Sequence, residues 1–357
     1  MKYFILSLLF LGFMVPLACI YNTPTSSYNS GHNSGGKNTT PTFTPTNLNG
    51  YTSTPTATFQ PTPGFVSTIA SGISAPNGVA EANSLIYVAE GDGAAVSQVQ
   101  VLNAGTNVVS STWTGYGSTL FQYPNGVAVN SLGTTVYVLD INNSTGDGTI
   151  YAMIPTATPT PITAWTSYNG TTLAYPGGLA LDSTGNVYVA DTGNSSLEEF
   201  GPAGTTIASW SQNGTYGPAQ PMAVAVNSAG TTVYVADGDN EELWVLSSTG
   251  SAFTTSNHWA LPYAYTANNN QDLASYGLIA DTSGNVYVAD YTNSQVEVYN
   301  NAGTLIGIFN GNQTGATPLA GPDGLLLYNS DIYVADYDNN AGSSGAGIVE
   351  IFGPNNY

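Results

Sequence analysis

From about residue 65 onward, apolar residues fall in short runs bounded by Gly, Asn, Asp, Ser or Pro. One run recurs six times: Tyr87-Val-Ala-Glu90, Tyr137-Val-Leu-Asp140, Tyr188-Val-Ala-Asp191, Tyr234-Val-Ala-Asp237, Tyr287-Val-Ala-Asp290 and Ile332-Tyr-Val-Ala-Asp336. A second block precedes each: APNGVA from Ala75, YPNGVA from Tyr123, YPGGLA from Tyr175, QPMAVA from Gln220, SYGLIA from Ser275 and GPDGLL from Gly321. Successive Tyr-Val blocks are about 46 to 53 residues apart, the spacing of propeller blades rather than of ankyrin or leucine-rich repeats. The third repeat resolves into four strands, Gly177–Leu181, Asn186–Ala190, Leu197–Phe200 and Thr205–Trp210, joined by turns in which Gly, Asn and Asp tolerate positive φ. The first two strands of a repeat are apolar nearly throughout, which suits strands covered on both faces.

The strand count predicts a closed ring. The sixth repeat supplies Gly324–Tyr328, Ile332–Ala335 and Gly347–Phe352 and then ends, one strand short. One unassigned strand, Phe65–Ala70, precedes the first repeat. Placed as the outer strand of the last blade, it completes an all-β, six-bladed β-propeller of four-stranded antiparallel blades and leaves no open seam.

The pattern P-x-G-[VL]-A-[VL]-[DN]-x-x-G-[NT]-[VI]-Y-V-A-D-x-x-N, clearest at 176–194 and 275–293, resembles the NHL repeat. The resemblance spans about residues 65 to 357. It implies a propeller fold and several functional classes: metal-dependent lyases and lactonase-like enzymes, RNA- and protein-binding modules, and sensor domains. Where the family often has Asn-Arg after the Asp block, this chain has Ser195-Ser196, Glu241-Glu242 and Ser294-Gln295. The basic residues used by RNA-binding relatives are thus absent. The lyase relatives hold metal through several His residues, which this chain lacks.

The N-terminus predicts a different organisation. Lys2, the apolar stretch Tyr3 to Val15 and Pro16-Leu17-Ala18-Cys19 read as an export signal over residues 1–18, with small Ala18 before the cut. Cys19, the single cysteine, stands where a lipoprotein signal places its acylated residue. Residues 19–63, rich in Thr-Pro, Ser, Gly and Asn, cannot assemble a core and read as a semi-extended tether. The propeller is expected over 64–357, outside the cell, secreted or held at the surface by a lipid.

Composition narrows the chemistry. The chain of 357 residues has 22 Asp and Glu, two Lys and no Arg, for a formal net charge of −20. Charged residues are 7%, against roughly 25% in ordinary soluble domains. Nucleic acid is excluded as a partner because phosphate binding needs clustered cations. A membrane can be a partner only through the Cys19 lipid. One cysteine and two histidines, His32 and His258, exclude a Cys- or His-based metal centre. No cofactor is expected, and Ca2+ is the ion that the acidic loops would take if they take one. At pH 2 protonated carboxyls would leave few net charges, so acid unfolding by cation repulsion is largely removed. That composition suits an acidic or protease-rich exterior. A general bias towards polar uncharged residues would produce it too.

Four constellations stand out. Glu90, Asp140, Asp191, Asp237, Asp290 and Asp336 end every second strand; they form either a carboxylate ring for a cation or a set of turn-stabilising acceptors of backbone N–H groups. Asp237-Gly-Asp239 and Asp336-Tyr-Asp338 place oxygens at alternate positions, as Ca2+ prefers. Long connections at Ile141–Gly148, Ser256–Ala274 and Asp338–Gly347 share one face. The middle one carries His258, Trp259, Tyr263 and Tyr265, aromatic rings suited to a carbohydrate or peptide, or to packing under their own loop. The expected function is non-enzymatic: a binding or scaffold module presenting that face to a protein, peptide or carbohydrate of the cell surface. The alternatives are a metal-dependent lyase or lactonase-like hydrolase with a carboxylate-bound divalent ion in the central channel, and a structural surface component.

Overall fold

In a computed structural model, the described residues are 63–69, 72–91, 96–211, 218–250, 252–261, 277–311, 318–337 and 347–353. The export signal, Cys19 and the tether lie outside them. Strand β1 is Gly64–Ile69. Blade one contains β2 (Pro76–Ala82), β3 (Leu85–Gly91), β4 (Ser97–Asn103) and β5 (Val108–Trp113). A small hairpin, β6 (Gly115–Tyr116) and β7 (Thr119–Leu120), leads into blade two: β8 (Pro124–Val129), β9 (Val136–Ile141), β10 (Gly148–Ile154) and β11 (Thr160–Trp165). A second hairpin, β12 (Ser167–Tyr168) and β13 (Thr171–Thr172), leads into blade three: β14 (Gly178–Leu181), β15 (Val187–Asp191), β16 (Ser196–Phe200) and β17 (Thr206–Ser211). Blade four is β18 (Pro221–Val226), β19 (Thr232–Asp237), β20 (Glu242–Ser248) and β21 (Phe253–Ala260). Blade five is β22 (Leu278–Ala280), β23 (Val286–Asp290), β24 (Gln295–Tyr299) and β25 (Leu305–Phe309). Blade six is β26 (Pro322–Tyr328), β27 (Asp331–Asp336) and β28 (Ile348–Gly353), joined by β1.

Each blade is a four-stranded antiparallel sheet. In blade six the outer strand is β1, paired to β28 from Gly64↔Gly353 to Ile69↔Val349. Phe65 meets Phe352 edge-on at 6.2 Å. The N-terminal strand thus covers the edge that β28 would otherwise expose.

The hydrophobic core is divided among six seams. Each cluster joins two neighbouring blades; Tyr87, Val99 and Trp113 of blade one pack with Val127, Val136 and Met153 of blade two. Ile86 and Leu102 of blade one pack with Tyr333 and Val349 of blade six, so the last seam is built like the others. Because both faces of a blade meet a neighbour, its second strand is buried throughout, as in β15. Outer strands alternate instead, as in β5 and β17. That difference is the physical origin of the apolar runs seen in the sequence.

Near the axis the backbones touch. A Cβ at Gly177 would collide with the Met222 carbonyl of the next blade, and one at Gly277 with the Asp323 carbonyl. A Cβ at Gly324 would lie 2.7 Å from the Asn77 carbonyl oxygen and 2.8 Å from the Gly78 Cα, sealing blade six to blade one. These glycines at the starts of the inner strands are therefore spacing residues. The Gly177→Ala variant should lose about 2 kcal/mol or more of stability in urea unfolding. Gly105→Ala, on an open turn where a Cβ meets only Asn103 at 3.4 Å, should change it by less than about 0.5 kcal/mol. Equal effects at the two positions would contradict the axial contact.

Candidate functional site

The six repeated carboxylates end the second strands on the face where each inner strand begins. Asp140 accepts from the Gln122 and Tyr123 N–H groups at 3.0 and 2.8 Å. Asp237 accepts from Ala219 and Gln220 N–H, the Asn240 amide and Trp244 Nε1. Asp336 accepts from Ala320 and Gly321 N–H, Asp191 from Ala174 N–H and the Asn194 amide, and Glu90 from Ser74 N–H. Asp290 is held by Asn293 through both backbone and side chain. Most of these donors belong to the segment entering the same blade's inner strand, some 15 to 18 residues earlier. The following turn contributes mainly through Asn194, Asn240 and Asn293. Each carboxylate thereby pins the approach to the axis.

The approach ends in six equivalent positions, five of them after the repeated Pro: Asn77, Asn125, Gly177, Met222, Gly277 and Asp323. Asn77, Asn125 and the strand starts beside them line a narrow axial channel of about 60 Å³. Asn77 Nδ2 donates to the Gly91 and Pro124 carbonyls at 3.0 and 3.1 Å. Asn125 Nδ2 donates to the Pro176 and Gly177 carbonyls at 3.2 and 2.9 Å. Two carbonyl acceptors on each amide nitrogen leave no choice of flip, so each Oδ1 turns the other way. Asn77 is 2% exposed and its Oδ1 has no hydrogen-bond partner. Such an atom costs about 1–3 kcal/mol. Asp323, at the same register in the adjacent blade six, is a buried carboxylate. Polar side chains therefore occupy blades six, one and two, while blades three to five present Gly177, Met222 and Gly277.

The predicted surface residues are placed differently. Residues 256–260 belong to strand β21, not to a loop. Trp259 is 7% exposed, packs against Tyr234 and covers Gly303. It repeats the outer-strand position of Trp113, Trp165 and Trp210, so its place is structural. Strand alternation puts His258 on the opposite face, stacked on Trp244 at 5.0 Å with Nδ1 3.1 Å from Glu242 Oε1. Tyr263, Tyr265 and Asp338 lie outside the described residues. Asp239 is exposed on its turn while Asp237 and Asp336 are buried. Among the described residues, no three His, Cys, Asp or Glu side chains come close enough to hold a metal. Asn77 and Asn125 were missed because carboxamides are not read as ligands, and Asp323 because it lies outside the repeated carboxylate position.

Burial without cations has a measurable consequence. Desolvation raises the Glu90, Glu198 and Glu297 carboxyls to about 7 and Asp140 to about 6. It raises Asp191, Glu199 and Asp290 too. A carboxyl raised in the folded state binds its proton more tightly there than in the unfolded chain. Its stabilising contribution is complete below the unfolded value near 4 and declines as pH rises through about 6 to 7. The melting temperature should therefore fall steadily from pH 4 to pH 8. Glu297→Gln should flatten that fall, and a melting temperature that rises over this range would refute the burial argument.

An NHL repeat model matches residues 173–200. No curated protein matches the chain in sequence. Among solved structures, a gluconolactonase from Xanthomonas campestris is similar with a TM-score of 0.55 at 14% identity, over 83% of this chain and 96% of that one. The PQQ-bound aldose sugar dehydrogenase from Streptomyces coelicolor is similar with a TM-score of 0.52 at 12% identity, over 81% and 97%. The WD40 propeller domain of Doa1 is similar with a TM-score of 0.51 at 11% identity, over 78% of each chain. At these identities the likeness establishes the fold. It also corrects the expected non-enzymatic binding or scaffold module, because propellers matched along nearly their whole length include two enzymes of sugar chemistry. The chain is a six-bladed β-propeller that carries an NHL repeat at residues 173–200.

Proposed function

We propose that this propeller is a lactonase-like hydrolase acting at the axial mouth. The observation that carries the reading is the buried, unpartnered Oδ1 of Asn77, a residue that lines the axial channel. The carboxamide oxygens of Asn77 and Asn125, which line the channel, are hard donors of the kind that Ca2+ or a similar divalent ion takes. A bound ion of this kind polarises a carbonyl oxygen and lowers the pKa of water. The protein's part is positional. The Asn77 and Asn125 amides bridge successive blades, so their oxygens are held by the ring itself. Asp323, which holds the same register in blade six, would supply the negative charge. Water adds to the lactone carbonyl and the ring C–O bond breaks, giving the open hydroxy acid. The dehydrogenase neighbour's cofactor is less well suited: PQQ is an anionic carboxylate, and both lysines of this chain precede residue 64.

The test is pH-stat hydrolysis of D-glucono-1,5-lactone with the full chain, after chelation and after return of Ca2+. Hydrolysis above the spontaneous rate, lost with chelator and restored by the ion, is expected. Asp323→Asn and Asn77→Ala should each lower kcat/KM by at least about tenfold. Absence of both stoichiometric ion binding and hydrolysis would overturn the proposal.

A further inference from the structure

The outer strands of blades one, two and four carry Trp113, Trp165 and Trp259 at one register. Over two of these rings the turn of the next blade closes tightly. A Cβ on Gly204 of blade three would fall 2.8 Å from the Trp165 ring, and one on Gly303 of blade five would fall 2.3 Å from the Trp259 ring. Both turns have five residues between their strands, 201–205 and 300–304. Both glycines are left-handed, with φ at 82° and 76°. Their N–H groups donate three residues back, to the Gly201 and Asn300 carbonyls at 2.9 and 2.8 Å. Backbone can press on an indole in this way because glycine takes the geometry with no side chain in between.

The seam between blades one and two lacks this closure. Its turn, residues 155–159, has the same length but reads Pro-Thr-Ala-Thr-Pro, and Thr158 stands where Gly204 and Gly303 stand. A β-branched residue resists left-handed backbone, and Thr158 does not adopt it. The turn bonds to itself instead. Thr156 N–H donates to the Ile154 carbonyl at 3.0 Å, and its hydroxyl donates to the Thr158 carbonyl. A cavity of about 170 Å³ results, walled by Tyr87, Val101, Ser111 and Trp113 of blade one and by Pro155 and Ala157 of blade two. Across the following seam, the Tyr137 hydroxyl donates to the Pro202 carbonyl at 3.2 Å. Tyr87, its counterpart here, is 1% exposed and makes no such bond among the described residues.

The lining sets the chemistry of an occupant. No charged side chain is part of it, so an ion entering would lose hydration without gaining a partner. An apolar cavity of about 150 Å³ admits one benzene ring, which is the scale of this one. Tyr87 and Trp113 meet at 5.6 Å and 52°, a tilted pair that can take a third ring edge-on or offset. The Tyr87 hydroxyl offers one hydrogen bond, as donor or acceptor. A pyranose would leave several of its hydroxyls unpaired against the same walls. We infer that the seam between blades one and two is a binding site for a small uncharged aromatic molecule bearing one hydroxyl, of the phenol class, seated against Trp113 and bonded to Tyr87. The site shares no lining residue with the axial channel, so it stands independently of the hydrolase reading.

Phenol itself is the probe, titrated into the full chain and followed by calorimetry, with toluene as the ring that lacks the hydroxyl. One phenol per chain should bind, with a Kd of about 1 mM or tighter. Ser111→Leu fills the cavity from one wall and Ala157→Leu from the other, and each should weaken phenol binding at least about tenfold. With two filling variants, the test survives the failure of either one to fold, which circular dichroism would reveal. Tyr87→Phe should weaken phenol about three- to tenfold and leave toluene within about twofold. Equal effects of Tyr87→Phe on phenol and toluene would overturn the assigned hydrogen bond. No saturable phenol binding up to about 10 mM, or wild-type affinity in every filling variant that folds, would overturn the site.

Discussion

Every part of this molecule depends on the fact that a single blade has no core of its own. Its apolar faces are buried only when a neighbour stands on each side, and the six hydrophobic clusters all lie between blades. Stability is therefore shared around a closed circuit. The seam between blades six and one matters as much as any other, because an open circuit would expose two apolar faces together. Strand β1 has this double role: it pairs with β28 and it places Ile69 in the final seam.

Closure also sets the scale of the axis. Inner strands approach until backbone meets backbone, which leaves glycine as the residue that fits at Gly177, Gly277 and Gly324. The same closeness turns side chains at this register into bridges. Asn77 and Asn125 reach the carbonyls of the next blade, and in doing so they orient their oxygens. Polar side chains at this register therefore gather on one side, in blades six, one and two, where the repeats depart from Gly and Met.

Charge is handled unusually. Seven buried or half-buried carboxyls are raised above their ordinary range by desolvation, and the propeller has no Lys or Arg to offset them. Backbone N–H groups and amides replace cations as partners, as at Asp140 and Asp237. Such donors tolerate either protonation state better than a salt bridge would, since loss of the carboxylate charge leaves no cation buried and unpaired. A fold assembled in this way keeps its contacts as its carboxyls gain protons.

The blade count, the four strands per blade and the need for Phe65–Ala70 to complete the last one were all legible in the chain. They follow from local periodicity and from turn residues, which act over a few positions. The repeated carboxylates were legible as a motif, but their partners were not, because the donors lie about 15 to 18 residues earlier and meet them only across the blade. Trp259 was misplaced for a related reason. A tryptophan beside His258 looks like surface in a polar stretch, yet strand alternation sends one inward and the other out. The axial trio was beyond reach of local pattern altogether. Asn77, Asn125 and Asp323 are separated by up to about 250 residues, and only the closing of the ring puts blade six next to blade one. Sequence alone determined the repeating unit, since that depends on short-range alternation and turn chemistry. Tertiary structure decided which non-repeating residues share the axis, since that depends on circular packing which no single repeat encodes.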